Sequence, residues 1–286
     1  PGDRLRVYIG SLGIRALLRQ PLLHRIHPSD RPQVGVAKYY MTIRKDTFSG
    51  QPYYHLSDSS PIRFAFFIRG DAMTRTAGDI RTMREAVSCV FPAGRRLIAP
   101  SQVHGTNILE QEAFSYLPSR PQADGVFLNA CGAEGSLRFA DCAPVVVWSL
   151  APIPWVLLLH SGFRGTTKNI VAAGLDFVSR KYGRPCLRSS SAWIGPHIGS
   201  CCYSRNLDDP ATRAGLNALP RETVSVSASS AAFALGKAVF LQLVRGGVSE
   251  SNILLHSGCT CCEKEAYYSY RGGDIQGRMF LLARIE

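Results

Sequence analysis

No run in this sequence is apolar for the roughly 18–20 residues that a bilayer-spanning helix needs. Near its start, Arg4, Arg6, Arg15 and Arg19 break up the short apolar pieces, so no compact core of a secretory signal stands there. Low-complexity segments and internal repeats are missing too, which sets aside disordered and solenoid architectures. The 33 lysines and arginines are scattered without a dense basic run. A net charge of +12 therefore does not by itself make a nucleic-acid surface. The expectation is a cytoplasmic enzyme, monomer or homodimer, with neither nucleic acid nor membrane as partner.

What remains is ordinary globular composition. The chain has 286 residues, 45% hydrophobic and 19% charged, enough for one large domain or two small ones. Isolated arginines beside glycine turns suit a small anion such as phosphate. Nine cysteines are an odd number, and disulfides are rare inside cells. They are then core residues, metal ligands or nucleophiles.

Residues 1–50 stand apart. They are basic, broken by Pro21, Pro28 and Pro32, and show no strand or helix period. They read as an N-terminal extension; residues 1–40 also read as sequence upstream of a start at Met41. A short helix over Ser11–Arg19 is the element expected there. Residues 51–286 are expected to form one catalytic domain.

Two apolar runs, Ala143–Leu150 and Trp155–His160, read as buried strands. Ala151-Pro152-Ile153-Pro154 between them cannot continue a sheet, so the pair is expected as a β-hairpin. That brings Cys142, before the first strand, toward His160, which closes the second. Further strands are expected at Ile62–Ile68, Arg95–Ala99, Val126–Asn129, Ser191–Ile194, Ile253–His256, Ala266–Tyr270 and Met279–Ile285. Gly132–Gly135 and 206–227 read as loops. Helices are expected over Ile80–Val90, from Thr166 or Thr167 to Gly183, and from Ser229 to about Arg245. Strands outnumber helices and do not alternate with them, so the fold class is α+β, with mixed β-sheets flanked by helices.

His104, Cys142 and His160 each sit at a strand end beside a turn. Two imidazoles and a thiolate are good zinc ligands and leave a fourth position open. The same residues also permit a nucleophilic cysteine with His160 as base, oriented by Asp141 or Asp124. Packed core residues would look no different at these spacings. Arg164-Gly165, followed by an expected helix N-terminus, is a candidate anion contact. Arg69, Arg271 and Arg278 beside glycines are others. Cys201-Cys202 and Cys259-Thr260-Cys261-Cys262 bring thiols close enough to consider a second metal, although adjacent cysteines point apart in an extended chain.

In order along the chain stand QVHG (102–105), ADG (123–125), ADCAP (140–144), HSGFRG (160–165), GPHIGSCCY (195–203), CT (259–260) and SYR (269–271). As a set they resemble the YfiH family, also called laccase-domain or polyphenol-oxidase-like proteins. The resemblance runs from about Ile62 to the C-terminus. It implies a cysteine-hydrolase-like fold, and a metal site at His104, Cys142 and His160 that holds zinc, with copper also proposed. It implies phosphorolysis of adenosine, inosine and methylthioadenosine, with purine nucleosides and phosphate as partners, and deamination of adenosine. Arg69, Asp124, Arg164 and Arg271 become expected substrate or phosphate contacts. Alternatives within the resemblance are an amidase editing a peptidoglycan precursor and a copper polyphenol oxidase. Ser161 and Phe163 stand where alanine and tryptophan are usual, Ser204 replaces an acid, and Gly272 replaces an arginine. These changes bear on substrate preference and leave the metal residues in place.

Overall fold

The computed structural model describes residues 42–56, 60–92, 95–111 and 120–286. The expected helix at Ser11–Arg19, and the nature of residues 1–40, lie outside them. In chain order the strands begin with β1 (Ile43–Phe48), β2 (Gln51–Leu56), β3 (Ile62–Phe67), β4 (Arg96–Ile98) and β5 (Ile108–Glu110). There follow β6 (Gly125–Leu128), β7 (Ala133–Phe139), β8 (Ala143–Ser149), β9 (Trp155–Ser161) and β10 (Ser191–Ile194). The last are β11 (Ser204–Asn206), β12 (Val224–Val226), β13 (Ser230–Phe233), β14 (Ile253–Leu255) and β15 (Met279–Ile285). The helices are α1 (Asp71–Arg75), α2 (Ile80–Ala86), α3 (Phe163–Thr167), α4 (Ile170–Tyr182), α5 (Pro185–Arg188), α6 (Pro210–Ala218) and α7 (Leu235–Gly246).

The strands form two mixed six-stranded sheets, ordered β1-β2-β3-β15-β7-β4 and β14-β10-β8-β9-β6-β5, and a small sheet β11-β13-β12. The α+β expectation holds. β1 lies within the stretch 1–50 that composition set apart, and it pairs antiparallel with β2.

The expected hairpin is the centre of the second sheet, with Pro144 opposite His160 and Ser149 opposite Trp155. Its unbroken apolar runs have a simple cause: both faces are covered. Val146, Trp148, Val156 and Leu158 pack on the first sheet, among Phe64, Phe66 and Leu281. Val145, Val147, Leu157 and Leu159 pack on Val171, Leu175 and Val178 of α4 and Val239 and Leu243 of α7. The molecule is thus sheet on sheet on helix, with the hairpin in the middle layer.

Several elements differ from the sequence reading. The α4 helix starts at Ile170, capped by Asn169 in the left-handed region, whose side chain accepts from Ala172 N–H. Neither Thr166 nor Thr167 caps it, because both belong to the separate turn α3. The helix terminus therefore does not follow directly on Arg164-Gly165. Residues 206–227 are not a loop. Pro210 occupies the first turn of α6, where its missing N–H is no loss, and the Asp209 side chain accepts from Ala211 N–H. The helix expected from Ser229 splits into β13, which pairs with β11 and β12, and α7. Gly132–Gly135 runs into β7, and Ala266–Tyr270 forms turns rather than a strand.

Candidate metal centre and anion cleft

His160 ends the central hairpin and is 4% exposed. Alternation along β9 turns its ring to the side of Leu158, against Phe139, with ring centroids 5.3 Å apart. Cys142 sits just before β8 and is half-buried. His104 comes from the loop after β4, with its ring centroid 4.9 Å from that of His160 and its Nε2 3.8 Å from Cys142 Sγ. Ligand atoms of the three residues all lie within 4.8 Å of one another.

One buried carboxylate builds this arrangement. Asp124, fully buried before β6, accepts the His160 Nδ1–H at 2.8 Å. It also accepts three consecutive backbone N–H groups, from Val103 (3.1 Å), His104 (3.0 Å) and Gly105 (2.7 Å). The His104 backbone is held with φ at 59°, a left-handed conformation that side-chain-bearing residues seldom adopt. Asp124 is therefore no substrate contact: it fixes the loop that presents His104 and sets the tautomer of His160. Of the two acids considered for that task, Asp141 has another. It accepts from the Thr260 hydroxyl at 2.8 Å and the Arg271 N–H at 2.7 Å, tying two distant loops to the site.

Gly162 closes the cradle. A Cβ there would stand 2.5 Å from Cys142 Sγ and 2.9 Å from His104 Cδ2. Its φ of −80° is open to any residue, so only the space demands glycine.

Electrostatically the group is an ion pair. Burial would push the Cys142 thiol up, but the His160 charge and hydrogen bonds from His104 and His160 outweigh it and hold the thiol at about 6. Burial would lower His160, but Cys142 and Asp124 outweigh it and raise the imidazole to about 9. The two titrate together, as thiolate and imidazolium. Thiolate and imidazoles within this reach, with Nδ1 of His160 engaged and its Nε2 spared, fit a zinc or copper ion. The ion would take the place of the imidazolium proton.

The site opens into a cleft of about 650 Å³ lined by Arg138, Arg164, Arg205, Arg271 and Arg278. Arg205 is neutralised by Asp209. Among the described residues the other four have no carboxylate partner: Arg138, Arg271 and Arg278 donate to carbonyls, and Arg164 extends exposed. Arg138 Nε is buried without a partner. Tyr270, 62% exposed, is on the same wall. Arg69 is elsewhere. It pairs with Asp274 at 2.6 Å and stacks on Tyr268, so its guanidinium serves the fold and not the cleft. Arg138 and Arg205 escaped the sequence reading because neither adjoins a glycine; the alternation of β7 was the one available signal for Arg138.

The family described as multi-copper polyphenol oxidoreductase laccase matches residues 38–286. The chain belongs to this family. Among curated relatives, "Purine nucleoside phosphorylase YlmD" of Geobacillus stearothermophilus is 31% identical over 216 residues, covering 71% of this chain and 75% of that protein. "Purine nucleoside phosphorylase YfiH" of Shigella flexneri is 29% identical over 202 residues, covering 66% and 75%. Bacillus licheniformis YfiH superposes with a TM-score of 0.73 at 20% identity, over 85% of this chain and 99% of that one. The YlmD crystal structure from G. stearothermophilus gives 0.71 at 24% identity, over 85% and 98%. The YfiH resemblance read from the motifs is borne out, and so is the family's fold. No helix among the described residues is long and apolar enough to cross a membrane.

Proposed function

We propose that the protein is a cytoplasmic purine nucleoside phosphorylase. The observation that carries this reading is the convergence, in one cleft, of a Cys/His₂ donor set and four guanidiniums that lack carboxylate partners among the described residues. Phosphate is the anion this lining suits, since guanidinium matches its oxygens in charge and geometry. Arg164, free of other duties, grips the phosphate, and Arg271 and Arg138 complete its surroundings. Tyr270 offers a ring face to the purine. With both substrates held, a phosphate oxygen attacks C1′ of the ribose and the bond from C1′ to the purine nitrogen breaks. Its electron pair leaves with the base, and the proton lost by hydrogen phosphate ends on the purine. Products are the free base and the sugar 1-phosphate: ribose 1-phosphate from adenosine or inosine, and 5-methylthioribose 1-phosphate from methylthioadenosine. Adenosine, inosine and methylthioadenosine are the proposed substrates.

His104, Cys142 and His160 would hold zinc, with copper as the alternative these donors accept. When bound, zinc would supply Lewis acidity, a chemistry that also suits deamination of adenosine at C6. Asp124 keeps the His160 proton on Nδ1 throughout, so Nε2 stays available to the ion.

The test gives purified protein adenosine with and without phosphate. Phosphate-dependent adenine and ribose 1-phosphate are expected, with some inosine formed independently of phosphate. No turnover of any purine nucleoside would end the proposal. A strong visible colour on copper binding but not zinc binding, together with phenol oxidation, would favour the oxidase reading.

A further inference from the structure

Beside the arginine cleft lies a second convergence of sulfur that the phosphorylase reading does not use. Cys201 and Cys202 sit in a turn closed by Cys202 N–H and Tyr203 N–H donating to the Gly199 carbonyl, both at 3.0 Å. Cys259 and Cys262 sit in another, closed by Cys262 N–H donating to the Cys259 carbonyl at 3.1 Å. The two turns come from segments some sixty residues apart and meet sulfur to sulfur. The Sγ atoms of Cys201, Cys202, Cys259 and Cys262 all lie within 4.8 Å of one another. Cys262 Sγ is 3.6 Å from that of Cys201 and 3.4 Å from that of Cys202. In a tetrahedral zinc tetrathiolate, bonds of about 2.3 Å set sulfur–sulfur separations of about 3.8 Å. The two Cys262 separations lie just below that value, and none in the cluster exceeds 4.8 Å. An iron–sulfur cluster interposes sulfides between its irons and spreads its cysteines wider.

Two further features point the same way. The Gly199 N–H donates to Cys259 Sγ at 3.1 Å, a bond that stabilises a thiolate more than a thiol. A Cβ on Gly199 would stand 3.1 Å from Cys201 Sγ and 3.4 Å from Cys259 Sγ, so glycine preserves the room between them. Turns, unlike an extended chain, let adjacent cysteines serve one centre, which removes the objection raised by the sequence.

We infer that Cys201, Cys202, Cys259 and Cys262 bind a single structural zinc ion, separate from the His104–Cys142–His160 group. Four thiols lose four protons as the ion binds, and four protein ligands leave no open position. The ion clamps together two loops that serve the cleft. Cys202 and Ser204 carbonyls accept from the Arg271 guanidinium, and Thr260 donates to Asp141 next to Cys142. The centre therefore anchors the wall that carries Tyr203 and Arg271.

The test titrates metal-depleted, reduced full-length protein with Co²⁺ under argon. The near-ultraviolet thiolate-to-cobalt band is expected at the strength of four or more cobalt–sulfur bonds. Cys142→Ser keeps at least four-fifths of it, whether or not the mixed site binds metal. Cys201→Ser/Cys262→Ser cuts it about fourfold or more. The inference is overturned if the wild-type band never exceeds that of a single thiolate, or if it survives the double substitution. Peptide mapping that finds Cys262 in a disulfide in anaerobically isolated protein also overturns it. The wild-type titration decides on its own should the double variant fail to fold.

Discussion

Replacing Asp124 by asparagine keeps the shape of the side chain and removes its charge. Its two oxygens now face four donors: the His160 Nδ1–H and His104 N–H on one, the Val103 and Gly105 N–H groups on the other. An amide can present only one oxygen. Whichever way it turns, its NH₂ meets a pair of donors in a fully buried place. Leaving buried donors unsatisfied costs about 1–3 kcal/mol. If the NH₂ turns to His160, the imidazole must move its proton to Nε2, the nitrogen needed for the metal. Losing such a carboxylate behind a ligating histidine typically lowers metal affinity or activity about 10–100-fold. The expected result for Asp124→Asn is therefore a zinc affinity and a phosphorolysis kcat/KM each reduced by that range. Unfolding in urea should show stability lower by the amount given above. Competition with a chromophoric chelator measures the first, and a phosphate-dependent adenine assay the second. Affinity and activity within twofold of wild type would refute the claim that Asp124 organises the centre.

The remaining expectations are simpler. Gly162→Ala places a methyl where Cys142 Sγ and His104 stand, and a displacement near 1 Å at a reacting centre costs on the order of 100-fold in rate; metal content and kcat report it, and urea unfolding should show the overpacked turn less stable by about 1–3 kcal/mol. Arg164→Ala should raise the KM for phosphate roughly tenfold or more, the worth of a charge-assisted hydrogen bond, and leave the melting temperature unchanged because the side chain is exposed. Glu134 is buried between Arg84 (2.7 Å) and Arg284 (3.4 Å), so Glu134→Gln should destabilise the fold by roughly 3–5 kcal/mol in urea unfolding. His256 is held at about 4 by burial, with His197 and Lys45 adding repulsion, and its Nδ1 accepts the Gly258 N–H. The unfolded chain takes up this proton first, so stability should fall by up to roughly 3 kcal/mol from pH 6.5 toward pH 4, and His256→Gln should flatten that slope.

Much of the fold could be read because its pattern is local. The hairpin followed from two apolar runs and a proline turn, and its register then placed Cys142 beside His160 without further help. What failed were segments whose local signals compete. Ser229–Phe233 continues smoothly into α7 by composition, yet pairing with β11 and β12 wins over helix propensity there. Asp209-Pro210 looks like a loop when proline is taken only as a breaker, although the same pair also starts helices. Thr166 was a reasonable cap, but α3 already used it: its hydroxyl donates to the Gly162 carbonyl and contacts Ser161.

The site divides along the same line. That His104, Cys142 and His160 come together could be read from turns beside expected strands and from the motif set, although His104 lies in the loop after β4 and not at a strand end. The roles of the charged residues could not, because those depend on what lies opposite after folding. Arg69 and Arg164 look alike in sequence, each at or near a glycine. One meets Asp274 and is consumed by the fold; the other meets no acid among the described residues and remains available. Asp124 shows the converse. The resemblance makes it a substrate contact, whereas the residues alone offer it as one of two acids to orient His160, and it is that acid, buried where three backbone N–H groups of a distant loop converge on it. Burying a carboxylate is tolerable only with such compensation, and that compensation fixes His104 in its left-handed conformation. The loop therefore acquires its geometry from the acid, and the acid its charge from the loop and His160. Neither partner alone encodes the centre, so substitution at Asp124 should disturb His104 and His160 together, whereas substitution at Arg164 should disturb neither.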